Sequence, residues 1–365
     1  MELLPRTTGK PRLFKTYVIL SATIVLALVL GLYFFRAYGS GNIFNRNSNS
    51  FAAGGGDSLK IKDSLAVSLE PPVLDTLKYD QLLQFLNNGD TSGRWPVKIQ
   101  YPLAGAILPF NRIVAYYGNL YSKKMGVLGE YPADEMLKKL EDETRKWQAA
   151  DSSITVRPAL HYIAVTAQGY PGKGNTYRLR MPFKQIDSVI RMAARINALV
   201  FLDVQVGLST LQSEIPQLET YLKMPQVHLG IDPEFSMKTG KKPGSVIGTM
   251  DAADINYTIG YLENLVKTCQ LPPKILVVHR FTRPMVTNYK KIKPCPEVQV
   301  VMDMDGWGAK ERKLSTYREF ISREPVQFTG FKLFYKNDFR EPNSSIMTPA
   351  EVLKLKPRPV YIQYQ

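Results

Sequence analysis

The chain has 365 residues, enough for one large domain or two ordinary ones. A hydrophobic share of 44% with 22% charged residues lies near the globular average, which excludes wholesale disorder and a polytopic membrane protein. The formal charge is +15, and two cysteines, Cys269 and Cys295, are too few for a disulfide framework or a cysteine-rich zinc site.

From Tyr17 to Phe35 no residue is charged. At about 1.5 Å per residue such a helix approaches the roughly 30 Å of a bilayer's hydrocarbon core. Arg6, Lys10, Arg12 and Lys15 precede it, while Arg36 and Arg46 follow. That bias predicts a cytoplasmic segment 1–16, a single-pass anchor 17–35 in the cell membrane and an extracytoplasmic body. The run exceeds the apolar region of a signal peptide, and Tyr33-Phe34-Phe35 is a poor cleavage context. Residues 36–56, rich in Gly, Asn and Ser, read as a flexible tether. Residues 1–40 hold five of the basic and one of the acidic side chains, so the exported remainder carries 42 basic against 31 acidic groups. This charge favours loose association with an anionic envelope polymer or lipid head groups, or makes an ordinary basic surface. No basic helix or interleaved aromatic strip points to nucleic acid. In an oxidising compartment Cys269 and Cys295 can pair if the fold brings them together.

Residues 57–111 are expected to pack outside a following domain or across its base, with a short helix over 79–86. Then 112–365 alternates apolar, β-branched runs with amphipathic ones. Strands are predicted at 113–118, 156–167, 199–206, 227–235, 245–251, 275–281, 298–306 and 328–335. Helices are predicted over 133–150, 186–198, 252–269 and 310–322 from apolar positions three and four residues apart, with Asp251 as an N-cap. The link 236–244 reads as a loop, and 349–364 as a helix followed by a final extended segment. Strands alternating with helices imply parallel pairing and right-handed crossovers. Eight such units predict an α/β fold, a (β/α)₈ TIM-like barrel preceded by one transmembrane helix. The alternative, an open doubly wound sheet, lacks a GxGxxG after its first strand.

Polar residues recur late in these strands: His161, then Asp203 and Gln205, Asp232 and Glu234, Asp251, His279, Asp303 and Asp305, and Lys332. Residues at i and i+2 share a strand face, so each acidic pair can point into the barrel together. In this fold the C-terminal mouth carries the active site. Asp232, Asp251 and Asp305 can instead simply cap turns or helices. Crowded carboxyls cannot all ionise at low cost, and one held protonated beside one held charged is the arrangement of glycoside hydrolysis. Glu234 is the expected proton donor, and Asp303 or Asp305 its partner. Asp203, Gln205, Asp232, His161, His279 and Lys332 are expected to contact substrate or tune the acid. Tyr117, Trp307 and Phe281 are candidates for a stacking floor or plain rim aromatics, and the 126–132 loop brings Glu130 and Tyr131 near. His228 begins its strand and reads as structural. The histidines and aspartates offer divalent-metal donors, yet no HxH or HExxH spacing is present, so no metal or cofactor is expected. No GxSxG elbow and no Walker lysine occur.

The blocks GNLYSKKMGVLGEYP, PALHYIAVTAQ, LVFLDVQVG, HLGIDPEFSM, GSVIGTMDAADIN, LVVHRFT, VVMDMDG and GFKLFY span roughly Arg112 to Pro359. Together they resemble an uncharacterised family of secreted, often lipoprotein-like bacterial proteins. The resemblance implies an envelope location and carries no activity, and this chain departs from lipid-anchored members in its apolar N-terminal helix. The expected function is a membrane-anchored extracytoplasmic hydrolase, glycoside hydrolase-like, whose partner is a glycan or other envelope polymer. The alternatives are a non-catalytic glycan-binding or scaffold barrel and a metal-dependent hydrolase.

Overall fold

A computed structural model describes residues 73–342 and 344–365. The predicted anchor, tether and residues 57–72 lie outside the described residues. Among the described residues no helix is long and apolar enough to cross a membrane.

Eight parallel strands close into a barrel. They are β1 (Asn111–Gly118), β2 (Thr155–Ala167), β3 (Leu199–Val204), β4 (Val227–Ile231), β5 (Lys274–Arg280), β6 (Val298–Met304), β7 (Phe328–Leu333) and β8 (Tyr361–Tyr364). Each strand pairs with the next, and β8 pairs with β1 through Ile113 opposite Tyr361. The crossovers include α2 (Ala133–Ala150) before β2, α3 (Phe183–Arg195) before β3, α4 (Ala252–Cys269) before β5 and α5 (Lys310–Tyr317) before β7. The remaining links use short helical turns, among them Leu211–Glu214, Glu219–Leu222 and Pro349–Val352.

The strand count agrees with expectation, but the membership differs. The 245–251 run is not a barrel strand: only Met250–Asp251 pairs, with Val286–Thr287, in a separate two-stranded sheet. Its Val246 and Ile247 are 42% and 48% exposed, so the local β pattern found no buried ladder to join. The eighth place goes to Tyr361–Tyr364, buried at every residue. Asp251 therefore does not end a barrel strand. It caps α4 by accepting from the Ala253 amide, in a reciprocal capping box with Asp254. Cys269 and Cys295 are both free.

Two apolar clusters flank the strands. Outward-facing Tyr116, Leu160, Leu202, Leu229, Val278 and Met302 pack against Leu140 and Trp147 of α2, Val189 of α3 and Ile255 and Leu262 of α4. Each fully buried side chain of this size contributes about 1.5–3 kcal/mol relative to exposure. Inside, Ile113, Leu199, Phe201, Ile275, Val277, Val301 and Phe328 fill the lower barrel. The helix α1 (Thr76–Asn87) closes that end, and its Tyr79 and Leu86 join the interior cluster together with Leu108. One polar side chain ties this plug in. Gln299, fully buried on β6, accepts from the Ile107 and Leu108 amides at 3.1 Å each and donates to the Leu108 carbonyl at 2.6 Å. His228 also lies at this lower level, accepting from the Ile275 amide at 3.2 Å.

Gln299→Leu is expected to destabilise the barrel by about 2–4 kcal/mol, because it strips two buried backbone groups of Leu108 and a partly buried one of Ile107 of their partner. Urea unfolding measures this. A loss below about 1 kcal/mol would show that Gln299 contributes little to holding the plug.

Candidate active site

Above the apolar layers the interior turns polar, and strand register decides which groups meet. His161 on β2 lies beside Phe201 on β3, their rings stacked at 5.3 Å. Asp203, one step higher on β3, lies beside Gly230 on β4. A Cβ at Gly230 would stand 2.4 Å from His161 Nε2 and 2.5 Å from Asp203 Oδ1, and one at Gly330 on β7 would stand 2.5 Å from Asp303 Oδ1. The two glycines thus leave the room that the polar layer occupies.

His279 on β5 is the centre of that layer. Its Nε2 lies 3.5 Å from Asp203 Oδ1, and its Nδ1 lies 3.3 Å from both Asp303 Oδ2 and Asp305 Oδ2. His161 Nε2 approaches the same Asp203 oxygen at 3.4 Å. On its other side His161 Nδ1 meets the Tyr361 hydroxyl at 2.5 Å and the Gln363 amide at 3.1 Å. Asp203 accepts further from the Tyr117 hydroxyl at 2.9 Å. His161, Asp203, His279 and Asp303 are wholly buried, so they support the mouth and do not line it. Of the two roles expected for His161, Asp203 and His279, their burial favours tuning the acid over substrate contact, and it leaves Asp303 as a support for Asp305. The reason is register, which sets them one layer too deep.

The pocket above has a volume near 600 Å³ and is lined by Tyr117, Gln205, Asp232, Glu234, Asp305 and Lys332, with Phe281 and Trp307 at its side. Gln205 donates to Asp232 Oδ2 at 3.2 Å and to the Tyr117 hydroxyl at 3.3 Å. Lys332 reaches Asp305 Oδ1 at 2.9 Å, and its ammonium sits 4.0 Å from the centre of the Tyr117 ring. Trp307 is 42% exposed, with the Arg340 guanidinium 5.5 Å over its ring. Glu130 lies elsewhere. It is paired with Lys336 in a neighbouring hollow. The pocket's outer wall, formed by Lys124, Met125, Phe235 and Arg312, was not foreseen from the sequence. Lys124, Met125 and Arg312 sit on a loop and a helix outside any strand pattern, and Phe235, at the end of the predicted 227–235 strand, falls in a turn.

Glu234 reaches the pocket by a route that strand alternation does not describe. β4 ends at Ile231, and Glu234 sits in a tight turn, Pro233–Phe235. The Asp232 carboxylate accepts from the Glu234 amide at 3.0 Å, and the Gly248 amide donates to the Glu234 carbonyl at 2.6 Å.

These contacts sort the carboxyls. Burial, then the Asp305 charge, pushes Glu234 up to about 7, against the opposing pull of Lys332 and His279. Burial works to raise Asp305 as well, but Lys332 and His279 hold it below the usual aspartate range. Asp203 behaves likewise, held low against burial by His279 and His161. Asp303 and Asp232 are both pushed up, by burial first. Burial lowers His161 to about 4, whereas the carboxylates around His279 outweigh its burial and raise it well above the ordinary value. At neutral pH the layer therefore holds a neutral His161, an imidazolium at His279, charged Asp203 and Asp305, and a Glu234 poised to titrate.

His161 Nε2, Asp203 Oδ1 and His279 Nε2 also converge within 4.8 Å of one another, each without a hydrogen-bond partner. Two imidazoles and a carboxylate are a donor set that a divalent ion accepts. The carboxylates on the far nitrogen of His279 would orient the ring for that task, and they serve as well to keep it doubly protonated.

No family model matches the chain, and no curated protein matches it. Among solved structures it is similar to a hyperthermophilic endo-β-1,4-glucanase determined with its substrate. The TM-score is 0.39 at 8% identity, over 70% of this chain and 89% of that one. So slight a likeness supports no conclusion about activity.

His279→Leu is expected to destabilise the protein by roughly 3–5 kcal/mol near pH 6, since it strands Asp203 as a buried charge. The choice of pH rests on two opposite shifts. The depressed Asp203 contributes stability above its unfolded value near 3.9, and the raised His279 contributes it in full below about 6.5. Denaturant melts at pH 6 that differ by less than about 1 kcal/mol would show that the pair is not ionic.

Proposed function

We propose that this barrel is a glycoside hydrolase-like enzyme acting on an envelope or environmental glycan. Glu234 is the proton donor and Asp305 the ionised partner that acts as nucleophile or base. One observation carries the reading: a half-buried carboxyl pushed to about 7 shares a pocket with a carboxylate held low by Lys332 and His279. A general acid must be protonated and its partner ionised at the same pH, and these two opposite shifts support that division. The exposed face of Trp307 supplies a surface for a sugar ring, and Gln205 and Asp232 supply hydroxyl partners. The uncharged run 17–35 and its basic N-terminal flank support a body displayed outside the membrane.

The converging donors of His161, Asp203 and His279 favour a second reading, a metal-dependent hydrolase. Dialysis against EDTA separates the two. Turnover is retained in the carboxylate reading, and loss restored by a divalent ion establishes the other.

The pH profile of kcat/KM tests the acid. Its alkaline limb is expected near pH 7, where Glu234 loses its proton, and its acid limb below the ordinary aspartate value of about 3.9, where Asp305 gains one. Glu234→Gln is expected to lower kcat by about 10²–10⁴-fold. Lys332→Met removes a charge that lowers both carboxyls, so both limbs move to higher pH. A profile unmoved by that substitution, or full turnover in Glu234→Gln, rejects the assignment.

A further inference from the structure

A second hollow of about 380 Å³ opens between the loops that follow β1 and β2. Asn119, Tyr121 and Met125 line it from the first loop, Thr166 from the end of β2, and Gln168 and Tyr170 from the second loop. Met125 also lines the catalytic pocket, so the two hollows adjoin across one side chain. Tyr121 and Tyr170 are 62% and 63% exposed, an unusual amount of aromatic surface to leave in water.

The ledge that carries these rings is firmly anchored. β2 runs for 13 residues, and its upper end pairs antiparallel with Arg178–Arg180. Arg178 and Arg180 donate to the buried Glu214 at 2.7 and 2.6 Å, and Ser209 donates to the same carboxylate at 2.5 Å. The turn between the two strands holds Tyr177 at φ +52°, a strained value for a non-glycine residue. Its carbonyl accepts from the Gln168 amide at 2.9 Å, which closes the turn around Tyr170. Thr166 Oγ1, a buried hydroxyl with no partner, belongs to the same lining. Aromatic faces interleaved with amide and hydroxyl groups match the chemistry of a sugar ring, whose C–H face stacks while its hydroxyls exchange hydrogen bonds.

Resting on the catalytic reading above, we infer that this hollow binds further sugar units of the chain that is cut at Glu234 and Asp305. The substrate is then a linear polysaccharide lying across the mouth, not a terminal sugar or a small glycoside.

Native affinity electrophoresis of the full chain in mild non-ionic detergent tests this. The gels contain hydroxyethyl cellulose, xylan, galactomannan, glycol chitin or polygalacturonate. The unmodified protein and Glu234→Gln are expected to be retarded alike by at least one polymer. Y121A/Y170A is expected to lose at least tenfold in affinity for it, with thermal unfolding unchanged because both rings are exposed. Y121F/Y170F, which keeps the ring faces, is expected to restore binding. A loss smaller than tenfold in the alanine pair overturns the inference and leaves the catalytic reading to its own turnover test. Retardation by none of the polymers overturns the inference as well. If the alanine pair loses binding while Glu234→Gln cleaves the polymer at full rate, the platform stands and the catalytic reading fails.

Discussion

His279 lies where β3, β5 and β6 bring Asp203, Asp303 and Asp305 within 3.3–3.5 Å of its two ring nitrogens. A wholly buried imidazolium and a wholly buried carboxylate are each costly alone, and each becomes tolerable through the other. The rest of the mouth takes its charges from this pairing. A proton on His279 lets Asp203 stay ionised, and with Lys332 it does the same for Asp305. The Asp305 charge in turn helps to keep the proton on Glu234. Were the ring neutral, Asp305 would lose one of its two cations, and the difference between the two pocket carboxyls would shrink.

This local arrangement, and not the chain's +15, governs the pocket. Surface charges are screened beyond about 8–10 Å at physiological salt. Lys332 acts at 2.9 Å across a nearly dry contact. The overall basic charge therefore bears on how the protein associates with polymers or membranes, while the chemistry depends on two cations placed inside the barrel.

Much of this was legible in the sequence. Seven barrel strands and the main helices follow from periodicity, and the shared facing of Asp203 with Gln205 and of Asp303 with Asp305 follows from alternation. Closure of the barrel does not, because β1 meets β8 across about 250 residues and no local pattern records that pairing. Tyr361–Tyr364 therefore read as a mere extended end, while 245–251, exposed at Val246 and Ile247, looked more strand-like than it is. Depth was equally hidden. His161, Asp203, His279 and Asp303 have the composition of a substrate-binding set, yet two glycines on neighbouring strands draw them beneath the surface that a substrate reaches.

The misread 245–251 segment also explains why Glu234 differs from the other acids. Asp203, Asp303 and Asp232 are buried almost completely; burial drives Asp303 and Asp232 up, and the two histidines hold Asp203 down against it. Glu234 stands one turn outside the strand, pinned from below by Asp232 and from the side by Gly248. That position removes enough water to raise the carboxyl, but not so much that it can no longer ionise near neutrality. A residue carried by the strand itself would share the complete burial of Asp203. A residue on an untethered loop would stay fully solvated and ionised. The turn gives the intermediate environment that a group exchanging a proton with a substrate requires.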